Sequence, residues 1–378
     1  MNKIYIRFML SVVLLASIFL ITSNCRKENI PEEDEMTLPV IAISSGASHS
    51  LALTTDGTLW AWGHNENGQV GDGSWLNRHK PVKIGSEFKK ISSYDHFSLA
   101  IKEDGTLWTW GANRYGELCN GEVDVDINTP TQIGTDFNEI ALGWSFALGI
   151  KNDGTLWAWG RNDNGQLGDG TSTDKLSPVQ VGSDFIAISA GLGFALGLKK
   201  DGSVWSWGNN EQGQLGDSTF ISKNTPTLFG SGYSAIATGW RHSLLLRKDG
   251  TLWACGDNYA GQLGDGTNED KNYPVLVGAD FSYINANYYQ SFGIKNDGTL
   301  WAWGANSWYQ LGYPYDPERE EQIVNIGTEY SMVSSGATHG IGLKRDGTVW
   351  SWGNNKYGQL GINSWAEEID HPVQIKPN

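Results

Sequence analysis

One eight-residue phrase recurs seven times along this chain, and its spacing restricts the fold more than any other feature. DGTLWAWG begins at Asp56, and variants of it begin at Asp104, Asp153, Asp201, Asp249, Asp297 and Asp346, at steps of 48 or 49 residues. A repeat of that length, rich in strand formers and tight-turn signals, marks a circular or stacked β array rather than an ordinary globular core. The 378 residues therefore read as one array, although length alone would allow two average domains.

Each repeat reads as four antiparallel strands. In the fourth copy, IAISAG from Ile186 is a first strand and FALGLKK a second. The Asp201-Gly202 turn follows, where glycine supplies the positive φ of a tight hairpin. SVWSWG is the third strand, and a longer loop leads to TPTLF, the fourth. Proline near the start of the fourth strand suits a sheet edge, where its missing N–H is not needed. Alternation places Trp60 and Trp62 on one face of the third strand, with Leu59 and Ala61 on the other. Two apolar faces mean that each sheet is sandwiched between neighbours. The terminal copies are as apolar as the inner ones, whereas an open array needs polar end caps. The expected fold is thus all-β, a closed seven-bladed β-propeller of four-stranded antiparallel blades over 39–376, and a monomer.

The first residues do not fit this pattern. Lys3 and Arg7 precede an apolar run from Met9 to Ile21, too short for a comfortable span, and Cys25 follows directly. Residues 1–24 resemble a bacterial lipoprotein signal, with Cys25 as the lipidated residue; a plain secretory signal is the competing reading. Residues 25–38 are polar and acidic with prolines, a flexible tether. The expected location is the cell envelope, lipid-anchored outside the cytoplasm, or alternatively secreted. Cys119 and Cys255 fall in the second and fifth copies, too far apart for a disulfide, and read as structural substitutions.

The fuller pattern I-x-x-G-x-x-H-S-x-A-L-x-x-D-G-x-L-W-x-W-G-x-N-x-x-G-Q-L-G-D-G is clearest over Ile43–Gly73 and Ile236–Gly266. It resembles the regulator-of-chromosome-condensation repeat family, across nearly everything from Pro39 to Ile375. The resemblance implies a propeller used as a binding platform. Within that family a nuclear member exchanges nucleotide on a GTPase, a plant member senses ultraviolet light through loop tryptophans, and a secreted bacterial member inhibits β-lactamases. The fold therefore does not set the task. An exported protein meets no nuclear GTPase, and Gly239-Trp240-Arg241-His242-Ser243 is a single copy of the plant loop motif, which makes no tryptophan cluster.

Catalytic chemistry finds little support. His49, His242 and His339 share one repeat position with Phe97, Phe146, Phe194 and Gln290, which marks a packing position rather than a metal site. The repeated asparagines, Asn162 among them, read as turn-stabilising groups and not calcium ligands. No phosphate-cradling loop or nucleophile elbow occurs, and no cofactor or metal is expected. A net charge of −15 argues against nucleic acid.

Function should lie where the copies differ. Loops joining first to second and third to fourth strands emerge at the same end of a propeller. There the chain places Asp95, His96, Trp144, Trp240, Arg241, Tyr288 and Tyr289, ringed by Trp75, Tyr115, Phe220, Tyr259, Trp308, Tyr309, Tyr313, Tyr315, Tyr357 and Trp365. Tyr, Trp and Arg dominate binding hot spots, although about half of these rings are expected to tuck against neighbouring loops. Blade six departs most, with Tyr309 in a glycine slot and Asn287 in another. The sequence thus points to a non-catalytic binding protein with an unknown extracytoplasmic protein partner, its hot spot spanning blades five and six. The alternative is a carbohydrate-binding or carbohydrate-processing propeller, but Asp95 is the single acid of the inner loops and hydrolysis needs a pair. If Cys25 carries the anchor, Cys25→Ser should move the protein from the membrane pellet to the soluble exported fraction; unchanged fractionation would refute lipidation.

Overall fold

The computed structural model describes residues 35–316, 322–364 and 366–376. Residues 1–34, Cys25 among them, and Trp365 lie outside the described residues. Among the described residues, twenty-eight strands form seven sheets, each of four consecutive strands in chain order. Blade four is representative: Phe185–Ala190, Phe194–Lys199, Val204–Gly208 and Lys223–Gly230. Antiparallel registers such as Ile188↔Gly197, Leu196↔Ser206 and Trp205↔Leu228 join them. The fourth strand begins two residues earlier than the sequence indicates, which sets Pro226 further inside it; it pairs on one side only, as an edge strand that tolerates proline.

First strands of successive blades touch one another around the ring, which makes them innermost. The ring closes without strand exchange. The first strand of blade one, Val40–Ser45, packs against Tyr330–Ser335 and His339–Lys344 of blade seven.

The core is divided into seven clusters, one per interface. Between blades one and two, Leu59 and Ala61 of the first face Trp108 and Trp110 of the second. Between seven and one, Val349 and Ile341 meet Trp60 and Trp62. The second tryptophan of each third strand is fully buried, and its indole N–H donates to a backbone carbonyl in the preceding blade. Trp110 reaches Gln69 O at 2.9 Å, Trp159 reaches Glu117 O at 3.0 Å, and Trp207, Trp303 and Trp352 repeat the bond. Trp62 closes the circle on Gln359 O at 2.9 Å.

Serine and histidine reinforce the same junction. Ser50, Ser98, Ser243 and Ser291 donate to the same carbonyls. His49, His242 and His339 direct Nε2 to Ser98, Ser291 and Ser50 of the next blade at 2.8–2.9 Å. Burial holds His242 and His339 at about 3, so both are neutral near pH 7.

Blade five departs from this pattern. Cys255 replaces the tryptophan, and its thiol lies 3.7 Å from Gln214 O. The vacated space is filled by Phe229, where other fourth strands carry Ile84, Ile133, Val181, Val277 or Ile326. A Cβ on Gly216 would come within 2.2 Å of the Phe229 ring and 3.0 Å of Cys255 Sγ, which shows how closely the two share the volume. Cys255→Trp alone should therefore destabilise the ring by about 1–3 kcal/mol through overpacking. Phe229→Val alone should cost about 1–3 kcal/mol through a cavity, and the pair together should recover most of both losses in denaturant melts. Additive losses in the double variant would refute the exchange.

Candidate functional site

The loop end of the ring is built on two side chains per blade. An asparagine after each third strand folds the long loop: Asn162 Oδ1 accepts the Leu167 N–H at 3.0 Å, and Nδ2 donates to Asp169 Oδ1 at 3.1 Å. Gln166 Oε1 accepts the Asn164 N–H at 2.8 Å, and the same contact recurs at the other loops. These bonds hold the carbonyl that receives the next blade's tryptophan.

Blade two carries Glu117 in that glutamine position. It is 1 % exposed, and it takes the Tyr115 N–H at 2.6 Å. Burial pushes its carboxyl up to about 7, partly opposed by hydrogen bonds from backbone N–H groups and the Ser145 hydroxyl.

The inner turns explain why blades two and six differ. In the other blades a glycine opens the turn because the first ring of the second strand lies over it; a Cβ on Gly239 would sit 2.0 Å from His242, and one on Gly143 2.1 Å from Phe146. Blade six puts Gln290 in place of that ring and Asn287 in place of the glycine, and both reach blade seven: Asn287 Nδ2 donates to Ser335 O, and Gln290 Nε2 to Ala337 O at 2.8 Å. Blade two puts Tyr94 in the glycine slot. Both turns then place their first residue in the left-handed region, Asp95 at φ 45° and Tyr288 at φ 44°, a conformation costing on the order of 1–3 kcal/mol for a non-glycine residue.

The result is a contact across the axis. Tyr288 of blade six stacks on Tyr94 of blade two, with ring centroids 5.7 Å apart and planes at 7°, and its hydroxyl lies 3.4 Å from Asp95 Oδ1. Burial and the Asp95 charge push the Tyr288 phenol well above its ordinary value. Trp240 packs on the same group, 5.6 Å from Tyr288 and 5.0 Å edge-on from Tyr289.

The remaining sequence-derived residues take other places. His96 Nε2 is 3.6 Å from Asp95 Oδ1, and its ring is 5.7 Å from His64, which packs on Tyr357. Trp144 forms a separate cluster with Tyr115 and Arg161. Trp308 is 45 % exposed and shares no ring contact with the Trp240 group among the described residues. Tyr309 keeps the left-handed φ of the glycine it replaces, 59°, and the turn bond from Gly312 N–H to its carbonyl at 2.9 Å, so the turn is strained rather than reshaped. Trp75, Phe220, Tyr259 and Tyr315 are exposed, whereas Trp144, Trp240, Tyr288 and Tyr289 are half-buried. Tyr94, Arg161 and Asp257 were not among the sequence candidates; Tyr94 carried a readable signal, a large residue in a repeat glycine slot.

Models of the regulator of chromosome condensation (RCC1) repeat match six segments, 56–101, 104–150, 153–198, 201–246, 249–285 and 297–343. A local stretch is 41 % identical over 56 residues to the ultraviolet-B receptor UVR8 of Arabidopsis thaliana, covering 14 % of this chain and 13 % of the receptor. Another is 46 % identical over 44 residues to mouse protein RCC2, covering 12 % and 8 %. These matches span only a small part of either relative. Among solved structures, yeast RCC1 (Prp20) bound to Kap60 superposes with a TM-score of 0.76 at 20 % identity, over 86 % of this chain and 85 % of that one. Human WBSCR16 gives 0.75 at 19 %, over 85 % and 94 %.

Glu117→Gln tests the buried carboxylate. Because its folded pKa is raised, above pH 7 the native state must bury a charge that the unfolded state solvates. Between about 7 and the ordinary 4.5 the native carboxyl takes up a proton and the penalty fades. The glutamine variant should therefore be more stable than the parent by up to about 3 kcal/mol at pH 8, with no advantage at pH 4. A pH-independent difference in melting would refute the titration.

Proposed function

The chain belongs to the regulator of chromosome condensation (RCC1) repeat family, and on that premise we propose that it is an exported, lipid-anchored, non-catalytic binding protein whose loop end grips another protein. Its propeller is a protein-interaction fold, and the yeast relative was solved bound to a protein. The observation that carries the reading is the set of large rings at one end of the ring that blade packing does not require. Trp75, Phe220, Tyr259 and Trp308 remain 45–85 % exposed there, and Trp240, Tyr288 and Tyr289 are half-buried at the same end. Exposed aromatics at such density favour a recognition surface.

The chain enters the ring at the opposite end. Pro39 O accepts the Thr55 N–H at 3.0 Å, and Val40 N–H donates to Gly347 O at 3.2 Å, which seats the entry among the Asp-Gly turns.

Capture from envelope extracts with the full chain, run beside a glycan array, separates a protein partner from a sugar. For the partner so identified, Trp240→Ala, Tyr289→Ala and Trp308→Ala should each weaken binding by about 1–3 kcal/mol if they are anchors. Undiminished binding by the triple variant would remove the site from this rim, and glycan binding in place of protein capture would favour the carbohydrate reading.

A further inference from the structure

The loop end of the ring is acidic. Among the described residues, the seven loops joining third to fourth strands hold seventeen Asp or Glu and three Lys or Arg. Some of these carboxylates are matched locally, as Asp72 is by Arg78 and Asp169 by Lys175 at 3.1 Å. Others, such as Glu122, Asp124 and Asp257, form no ion pair among the described residues.

Blades three and five show what such a surface accepts. In blade three, Trp144 of the inner turn is covered by Arg161, the first residue after the third strand. Its guanidinium carbon lies 4.2 Å from the Trp144 ring and 5.1 Å from Tyr115, and it pairs with Asp163. Blade five has the same backbone: Asp257 N–H donates to Arg241 O at 2.9 Å, as Arg161 N–H does to Ser145 O. Trp240 stands in the place of Trp144, and Tyr289 packs edge-on to it. The residue equivalent to Arg161 is Asp257, 8 % exposed. No Lys or Arg among the described residues stacks on Trp240, Tyr288 or Tyr289. Burial raises the Asp257 carboxyl above its ordinary value, partly opposed by the Tyr259 N–H and by the charge of Arg241, which forms no ion pair with it. Blade three thus contains a filled cation site, and blade five has the aromatic wall and a carboxylate with no cation.

We propose that the loop end binds a basic segment of a protein partner, one Lys or Arg of which enters between Trp240, Tyr289 and Asp257. The proposal rests on the platform reading above and adds the partner's chemistry. Aromatic faces attract cations most strongly when partly desolvated, and the surrounding acidic loops would speed the encounter of a basic partner.

The test uses the full chain and two short Gly-Ser peptides, one carrying arginine and the other carrying citrulline, its neutral isostere. The arginine peptide should bind, with citrulline weaker by about tenfold. Asp257→Asn should weaken the arginine peptide by about tenfold, whereas Asp124→Asn, the same charge change on blade two, should cost less than about twofold. Asparagine already stands at this position in blades four and seven, where Asn209 and Asn354 accept the equivalent loop N–H groups, so the fold tolerates it. Asp257→Arg should fill the recess from within, as Arg161 does, and abolish binding. Failure of the arginine peptide to bind, equal binding of both peptides, or equal losses from Asp257→Asn and Asp124→Asn would each overturn the proposal. If the alanine variants of Trp240, Tyr289 and Trp308 still abolish partner capture in that case, the platform stands and only the cationic partner falls.

Discussion

Six of the seven blade junctions rest on one hydrogen bond, from a buried indole N–H to the carbonyl of the loop glutamine, or Glu117, in the preceding blade, and at the seventh the Cys255 thiol faces that carbonyl. A buried N–H without an acceptor costs more than the bond is worth when made, so each tryptophan needs its neighbour's loop in place. That loop in turn is shaped by its own Asn and Gln side chains. Every blade therefore builds the acceptor for the next, and Trp62 on Gln359 makes the last junction chemically the same as the others. This explains how the ring closes without exchanging a strand between its ends.

The same arrangement frees the loop end to vary. Packing of the third strands and their tryptophans carries the stability, with each large apolar side chain contributing on the order of 2–3 kcal/mol. Changes at inner turns then alter surface geometry at limited cost. Where Tyr94 in blade two and Asn287 in blade six take the place of that glycine, the next residue, Asp95 or Tyr288, has a left-handed φ, and Tyr288 stacks across the axis on Tyr94.

At the opposite end of the ring, strand-end cations lie over pairs of rings. Lys102 lies 4.8 Å from the Trp108 ring and 5.2 Å from Phe88, and equivalent cations cover the ring pairs of blades three to seven. The adjacent Asp104 is held below its ordinary pKa, chiefly by the Thr106 hydroxyl and N–H. Those carboxylates are committed to their own turns. Among the described residues, the loop-end carboxylates outnumber the cations of the same loops.

The sequence by itself determined the architecture. Repeat length, the Asp-Gly turns and two-faced apolar strands demand stacked four-stranded sheets, and apolar ends demand closure. It also showed that Asn287 and Tyr309 break the repeat. Tertiary structure alone decided which rings meet. Tyr94 and Tyr288 are far apart in sequence and lie on opposite sides of the ring, so no local pattern could pair them. Trp308, close in sequence to Tyr289, stands apart because it belongs to a different loop of the blade. The glutamine carbonyl that receives each tryptophan was likewise invisible, because a backbone acceptor leaves no residue type to read. Periodicity reports what every blade shares; a site made from differences between distant blades exists only once the ring has closed.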